Sequence, residues 1–204
     1  MNQVKTISLL LNLNDVLLHN KNTVISEKEI INGCIAGKEQ YLEILYNTYS
    51  GIVFGICMRY LKNRDEAHDQ MHDCFIRLFE SLNTFRFEAS LKTWISRVTV
   101  NHVLQFLIKN SKVSFDVDVY KLTIAEETPE ESDDFLENYF ISSEKLLELV
   151  QEMPDGYRTV LNLYAIEKYS HKEIASLLGI TENTSKTQLF KARNYLKNKL
   201  KMLK

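Results

Sequence analysis

The sequence predicts an all-helical protein of two small domains, and three observations carry that prediction. The 204 residues include only 6 glycines and 2 prolines, too few chain-turning residues for the many short connections of a β-sandwich or barrel. Apolar residues recur at steps of three and four through most of the chain, which is the period of an amphipathic helix. Between residues 111 and 140 that period fades, and nine acids (Asp116, Asp118, Glu126, Glu127, Glu130, Glu131, Asp133, Asp134 and Glu137) stand against two lysines. Such a composition suits a linker rather than a core. The expected organisation is an unassigned N-terminal extension over 1–25, a helical bundle over 26–110, an acidic linker over 111–140 and a second helical domain over 141–204.

Composition excludes several classes. A hydrophobic content of 45% is ordinary for a globular protein, and no apolar run approaches the roughly 20 residues that span a bilayer. The opening "MNQVKTISLLLNLNDVLL" is interrupted by Asn12, Asn14 and Asp15 before a signal-type apolar core is complete. A cytoplasmic chain without membrane insertion is expected. Cys34, Cys57 and Cys74 are widely spaced inside helix-like patterns, which fits neither a disulfide framework nor a zinc site and reads as buried free thiols.

In the first domain, Ser26 and Glu29 have capping-box spacing, and Ile30, Ile31, Cys34 and Ile35 follow on one face of a short helix that Gly37 breaks. The next helix places Leu42, Leu45, Tyr46, Tyr49, Val53, Ile56, Cys57 and Tyr60 on a continuous stripe. Its two internal glycines, Gly51 and Gly55, are read as marks of close packing. Asn63 caps a third helix with Asp65 and Glu66 in its first turn, where the helix dipole favours negative charge; its apolar face is Ala67, Met71, Cys74, Phe75, Leu78 and Phe79. After the polar break "SLNTFRFEAS", a fourth helix carries Leu91, Trp94, Ile95, Val98, His102, Leu104 and Ile108. In the linker, Phe115, Val117, Val119 and Tyr120 alternate with polar residues over a brief extended piece.

Helical periodicity returns at Leu146, Leu147, Leu149 and Val150, stops near Pro154, and resumes from Tyr157 to Ile166. The final segment, "SHKEIASLLGITENTSKTQLFKARNYL", reads as two short helices hinged on a glycine. Ser170 and Glu173 form a second capping box, and Ile174, Leu177 and Leu178 give the first helix an apolar face. Gly179 ends it in the left-handed conformation, Ile180 plugs the corner, and Thr181 caps the next helix, whose inward residues are Leu189, Ala192 and Leu196. This is the helix-turn-helix pattern, in which the second helix enters the major groove.

With those three residues inward, Thr184, Ser185, Lys186, Gln188 and Lys191 are assigned to the solvent side. They are types that bond base edges and phosphates. From Asn183 onward there are seven basic residues and no acid, although the formal charge of the whole chain is only −2. The linker's acids cancel the basic helix in the sum without neutralising it in place. In the first domain, "FRFEASLKTW" sets aromatics beside Arg86, a surface on which unstacked bases can lie, and Arg97 and Asn101 stand one helical turn apart.

On these two blocks the chain, from about 26 to 200, resembles the bacterial RNA polymerase sigma factors of the extracytoplasmic-function (ECF) group of the sigma-70 family. "DEAHDQMHDCFIRLFESLNTFRFEASLKTWISRVTVNHVLQFL" is similar to the family segment in which an acidic helix docks on the polymerase clamp and the following loop and helix hold the opened −10 strand. The resemblance implies docking by Asp69, His72, Asp73 and Phe75, with His72 standing where the family usually has glutamine. It implies −10 contacts from Arg86, Phe87, Trp94, Arg97 and Asn101. "MPDGYRTVLNLYAIEKYSHKEIASLLGITENTSKTQLFKAR" resembles the fourth sigma domain, which reads the −35 element, here through Thr184, Ser185, Lys186, Thr187, Gln188, Lys191 and Arg193. Ser185 replaces a usual small aliphatic and Gln188 a frequent arginine. The implied partners are core polymerase at its clamp and flap, promoter DNA and an anti-sigma factor, and the implied linker path is a polymerase channel used later by RNA.

His68 and His72 stand at i and i+4 with Asp65, Asp69 and Asp73 nearby, but the intervening "DQM" lacks the hydrolase glutamate. They read as surface residues of a docking helix. No glycine-rich phosphate loop, GxSxG or activated cysteine occurs, so no enzymatic activity, cofactor or metal is expected. The residues alone also suit a conventional helix-turn-helix regulator with a sensing or dimerising bundle, which would bind its operator without polymerase, or a helical interaction protein, which would leave the basic helix unexplained.

Overall fold

The computed structural model describes residues 25–110 and 142–202, and every regular element among them is helical. The chain divides into two compact units, with residues 25–110 in one and 142–202 in the other. The acidic linker, its expected extended piece, residues 1–24 and Lys204 lie outside the described residues.

The first unit is built from α1 (Glu27–Ile35), α2 (Glu39–Tyr60), α3 (Arg64–Ser81), a 3₁₀ turn (Leu82–Thr84) and α4 (Leu91–Lys109). Ser26 Oγ accepts from Glu29 N at 3.2 Å. The reciprocal half of that expected box is replaced, because Glu29 Oε1 accepts from the Tyr41 hydroxyl at 3.1 Å. The bond pins α2 to α1, and Tyr41 lies so close over Gly33 that a Cβ there would be 2.2 Å from its ring. Gly33 is therefore a contact point between helices. Gly55, expected to be one, has open space where a Cβ would stand.

Asn63 caps α3, its Oδ1 accepting from Asp65 N at 2.7 Å and Glu66 N at 3.3 Å. Ser90 caps α4 through Thr93 N, and Leu91 N donates to Glu27 Oε2 at 3.3 Å, tying the start of α4 to α1. The core gathers Leu45, Val53, Cys57 and Tyr60 of α2, Ala67, Cys74, Phe75 and Leu78 of α3, and Leu91, Ile95, Val103 and Leu107 of α4. All three cysteines are buried and free, as expected, and burial pushes Cys57 up to about 12 and Cys74 up to about 11. Two of the expected apolar stripes are narrower in the structure. Ile35 and Ile108 point outward at 53% and 48% exposure, whereas their neighbours Cys34 and Leu107 in the same last turns are buried; each isoleucine stands about 100° further round its helix. In the interior of α4, Thr99 is fully buried; its hydroxyl donates to Ile95 O at 2.8 Å and accepts from Cys74 Sγ at 3.3 Å, which satisfies it without water.

The second unit contains α5 (Ser143–Glu152), α6 (Asp155–Leu161), a π turn (Asn162–Ile166), α7 (His171–Leu178) and α8 (Glu182–Lys201). Leu146, Leu149, Val150 and Met153 at α5 pack against Ala192, Leu196 and Leu200 of α8. At the bend between α5 and α6, Arg158 is 1% exposed. Its Nη1 donates to Gln151 O and Met153 O, each at 3.1 Å, and its Nη2 to Asp155 Oδ1 at 2.6 Å. The guanidinium thus closes carbonyls that the end of α5 leaves open. Ser170 and Glu173 form the full capping box at α7, Gly179 ends α7 at φ 66° and ψ 32°, and Thr181 caps α8 through Thr184 N at 3.0 Å. Replacing Arg158 by methionine keeps the apolar stem but removes the hydrogen bonds to two carbonyls and a carboxylate. It should cost the second unit roughly 3 kcal/mol, read as an earlier unfolding midpoint in urea with the first unit's transition unmoved.

Candidate nucleic-acid interface

In the second unit the site is one face of α8. The inward stripe of Leu189, Ala192 and Leu196 extends by the same steps to Ser185 in one direction and Leu200 in the other, and all five are buried. Two residues assigned to the solvent side are corrected by this. Ser185 is 0% exposed and Gln188 is 4% exposed, so neither presents its side chain to a ligand. The reason is angular: at 100° per residue, 185 and 188 share the arc of 189, 192 and 196, and helix geometry outweighs residue type. Ser185 Oγ instead bonds His171 Nδ1 at 2.9 Å, while Gln188 Oε1 is buried with no hydrogen-bond partner among the described residues.

The outward face carries Asn183, Lys186, Phe190, Asn194 and Lys197, all exposed, with Thr184, Thr187, Lys191 and Arg193 partly exposed at its flanks. Sequence reasoning passed over Phe190, which stands 55% exposed in the middle of this face. Its signal was its position, opposite the inward stripe and one turn after Lys186. Arg193 is held across the Tyr164 ring, 5.9 Å from its centroid. Tyr164 in turn stacks on His171 with centroids 4.6 Å apart. Burial, with Lys186 and Arg193 nearby, lowers the His171 pKa against the opposing pull of Glu182.

In the first unit the loop before α4 forms an aromatic corner. Phe85 is buried and packs on Phe87 at 4.7 Å and on Trp94 at 5.4 Å between ring centroids. Phe87 is 50% exposed and has φ 59°, a left-handed backbone that costs a bulky residue energy. Trp94 is only partly exposed and braces the corner, whereas Arg86, Arg97 and Asn101 are exposed.

On α3, Asp69, His72 and Asp73 are exposed on one face. Phe75, grouped with them by resemblance, is 2% exposed and packs its ring on Tyr46 at 4.6 Å. It is a core residue, because its place on the helix adjoins the buried arc of Met71, Cys74 and Leu78, the apolar face on which its spacing sets it. Ile76, not singled out in the sequence, completes the outer face at 58% exposure. His68 and His72 pack edge to face with centroids 4.6 Å apart. Among the described residues no group of three or more His, Cys, Asp or Glu is arranged to hold a metal, and no helix is long and apolar enough to cross a membrane.

A glycine-hinged helix pair that presents a basic, solvent-facing second helix defines a DNA-binding module of the helix-turn-helix type. Residues 45–113 match the model for sigma-70 region 2 and residues 143–196 the model for sigma-70 region 4, together well over half of the chain. The ECF RNA polymerase sigma-E factor of Haemophilus influenzae is 24% identical over 189 residues, covering 88% of this chain and 97% of that protein. The ECF RNA polymerase sigma factor SigW of Bacillus subtilis is 28% identical over 178 residues, covering 82% and 92%. A solved structure of CnrH in complex with the cytosolic domain of CnrY superposes with a TM-score of 0.45 at 16% identity, covering 85% of this chain and 96% of that one. The chain belongs to the sigma-70 family, within its ECF group. It is accordingly a promoter-recognising transcription initiation factor of RNA polymerase and a non-catalytic specificity subunit.

Two half-buried imidazoles should give the fold a pH dependence. Burial and Arg77 lower the His102 pKa below its ordinary 6.5 while Asp73 opposes them, and His171 is lowered likewise. Both bind a proton more readily once unfolded, so their stabilisation is complete above about pH 6.5 and is lost as the pH falls through their folded values. Urea unfolding of the full chain should show lower midpoints at about pH 5 than at about pH 8, and His102→Gln together with His171→Gln should flatten the difference.

Proposed function

We propose a division of labour among the exposed faces. The outer face of α3, with Asp69, His72, Asp73 and Ile76, docks on the polymerase clamp. Arg86, Phe87, Arg97 and Asn101 hold the opened −10 strand with Trp94 bracing the loop from behind. The outward face of α8, with Asn183, Lys186, Thr187, Phe190, Lys191 and Arg193, reads the −35 element. The observation that carries this reading is the separation of charge: the exposed acids of α3 are in one unit and the exposed cations of α8 are in the other. An acidic face suits a protein partner with basic helices, and a basic face suits phosphate.

The chemistry supports each role. Base-to-aromatic stacking contributes about 1–3 kcal/mol, comparable with the few kcal/mol needed to unstack one nucleotide, so an exposed Phe87 held ready can tip a strand-opening equilibrium. Lys186 can approach a phosphate or a guanine edge, and Phe190 offers apolar contact to a thymine methyl. The linker follows a polymerase channel, and an anti-sigma factor covers the same faces in the cytoplasm when the factor is idle. Exposed Ile76 and Phe190 are the apolar anchors that such an inhibitor would use.

Run-off transcription with purified core polymerase and genomic promoter fragments tests the whole reading. Lys186→Glu should lower transcription from promoters that depend on the upstream element by about tenfold or more while leaving core binding intact. Gln188→Ala, by contrast, should change stability without changing the preferred sequence. Asp69→Lys with Asp73→Lys should weaken binding to core polymerase by at least about tenfold, measured by fluorescence anisotropy of labelled factor; an unchanged affinity removes the docking face.

A further inference from the structure

Across the interface between α3 and α4 runs a chain of polar groups that neither the family models nor the docking face accounts for. His102 Nε2 lies 3.1 Å from Gln70 Oε1, and Gln70 Nε2 donates to Asp73 Oδ2 at 3.3 Å. Gln70 is 6% exposed, whereas Asp73 is exposed. The direction of the chain is fixed by chemistry. The carboxylate can only accept, so the amide end of Gln70 faces Asp73 and its carbonyl faces His102. His102 must then carry its proton on Nε2 and donate, which leaves Nδ1 as the bare nitrogen. Nδ1 is indeed buried without a hydrogen-bond partner among the described residues. Placing a second proton there would bury an unpaired donor, and Arg77, which bonds Gln105 Oε1 at 2.6 Å, adds repulsion from the neighbouring turn.

We propose that His102 and Gln70 are positioning residues that hold the Asp73 carboxylate in one orientation for the polymerase, so that the strength of docking is set partly from α4. The consequence follows from preorganisation. An exposed aspartate samples several rotamers and gives up that freedom on binding. A buried amide whose own orientation is locked by an imidazole removes much of that cost in advance. Because His102 is adjacent to Asn101 on α4, the same chain joins the helix assigned to the promoter strand with the face assigned to the enzyme. This inference rests on the docking role proposed for Asp73.

The test is a mutant cycle on the full-length factor, with affinity for core polymerase read by anisotropy and folding read by thermal unfolding. Gln70→Leu fills a similar volume without the bonds and should weaken core binding by about three- to tenfold, with the main unfolding transition retained. His102→Leu should weaken it similarly, and His102→Gln, which keeps a donor of comparable reach, should recover most of the loss. In an Asp73→Ala background Gln70→Leu should have no further effect on affinity. If Asp73→Ala weakens binding but Gln70→Leu does not, or if Gln70→Leu acts equally in both backgrounds, the positioning role is overturned and the docking face stands. If Asp73→Ala leaves affinity unchanged, the docking face and this inference fall together.

Discussion

The rotational setting of α8 about its own axis is the constraint on which the exposed basic face of the second unit depends. A helix of 3.6 residues per turn that buries one stripe has no freedom left to choose what it shows to solvent. Once Leu189, Ala192 and Leu196 are inside, the outward residues are determined. Ser185 and His171 secure the same setting at the N-terminal end, where apolar packing against α5 has run out. Gly179 sets the corner, since its left-handed backbone lets α8 leave α7 at an angle that a side chain would resist. A small hydrophobic core of about seven residues therefore fixes which side chains can meet a groove.

The first unit solves a different problem, which is to present two unlike surfaces from one bundle. It does so by placing polar residues on stripes that face other helices and then satisfying them locally. Thr99 bonds its own backbone and a cysteine, and Gln70 faces an imidazole on one side and a carboxylate on the other. Buried polar groups arranged in this way contribute less to stability than apolar packing would, but they define a single arrangement of the helices. A bundle with the two faces proposed above, one for an enzyme and one for a nucleic-acid strand, gains from such definition.

Much of this was legible in the sequence, for reasons that can be named residue by residue. Helix starts were readable because Ser26, Asn63, Ser170 and Thr181 do chemistry that depends on local spacing alone. The long stripe of α2 was readable because it repeats through many turns. What failed was the treatment of polar or aromatic residues on a stripe. Ser185 and Gln188 read as groove readers by type although their spacing puts them inside, and for Phe75 the apolar face that spacing gives prevails over the docking role that the resemblance implies. Phe190 was missed by the converse error, a large apolar residue taken as having nothing to say outside a core. The contacts of Gly33 with Tyr41 and of His102 with Gln70 were not readable at all, since they join residues of different helices whose register only the folded structure sets.

Phe87 shows a conflict between two demands on one position. Its positive φ would be comfortable for glycine or asparagine, and either would relieve the backbone while removing the exposed ring. A gain in heat tolerance from such a replacement would therefore come at the expense of the exposed ring. Under the role proposed for this loop, some thermal ease is exchanged for a flat hydrocarbon surface that stands in the open.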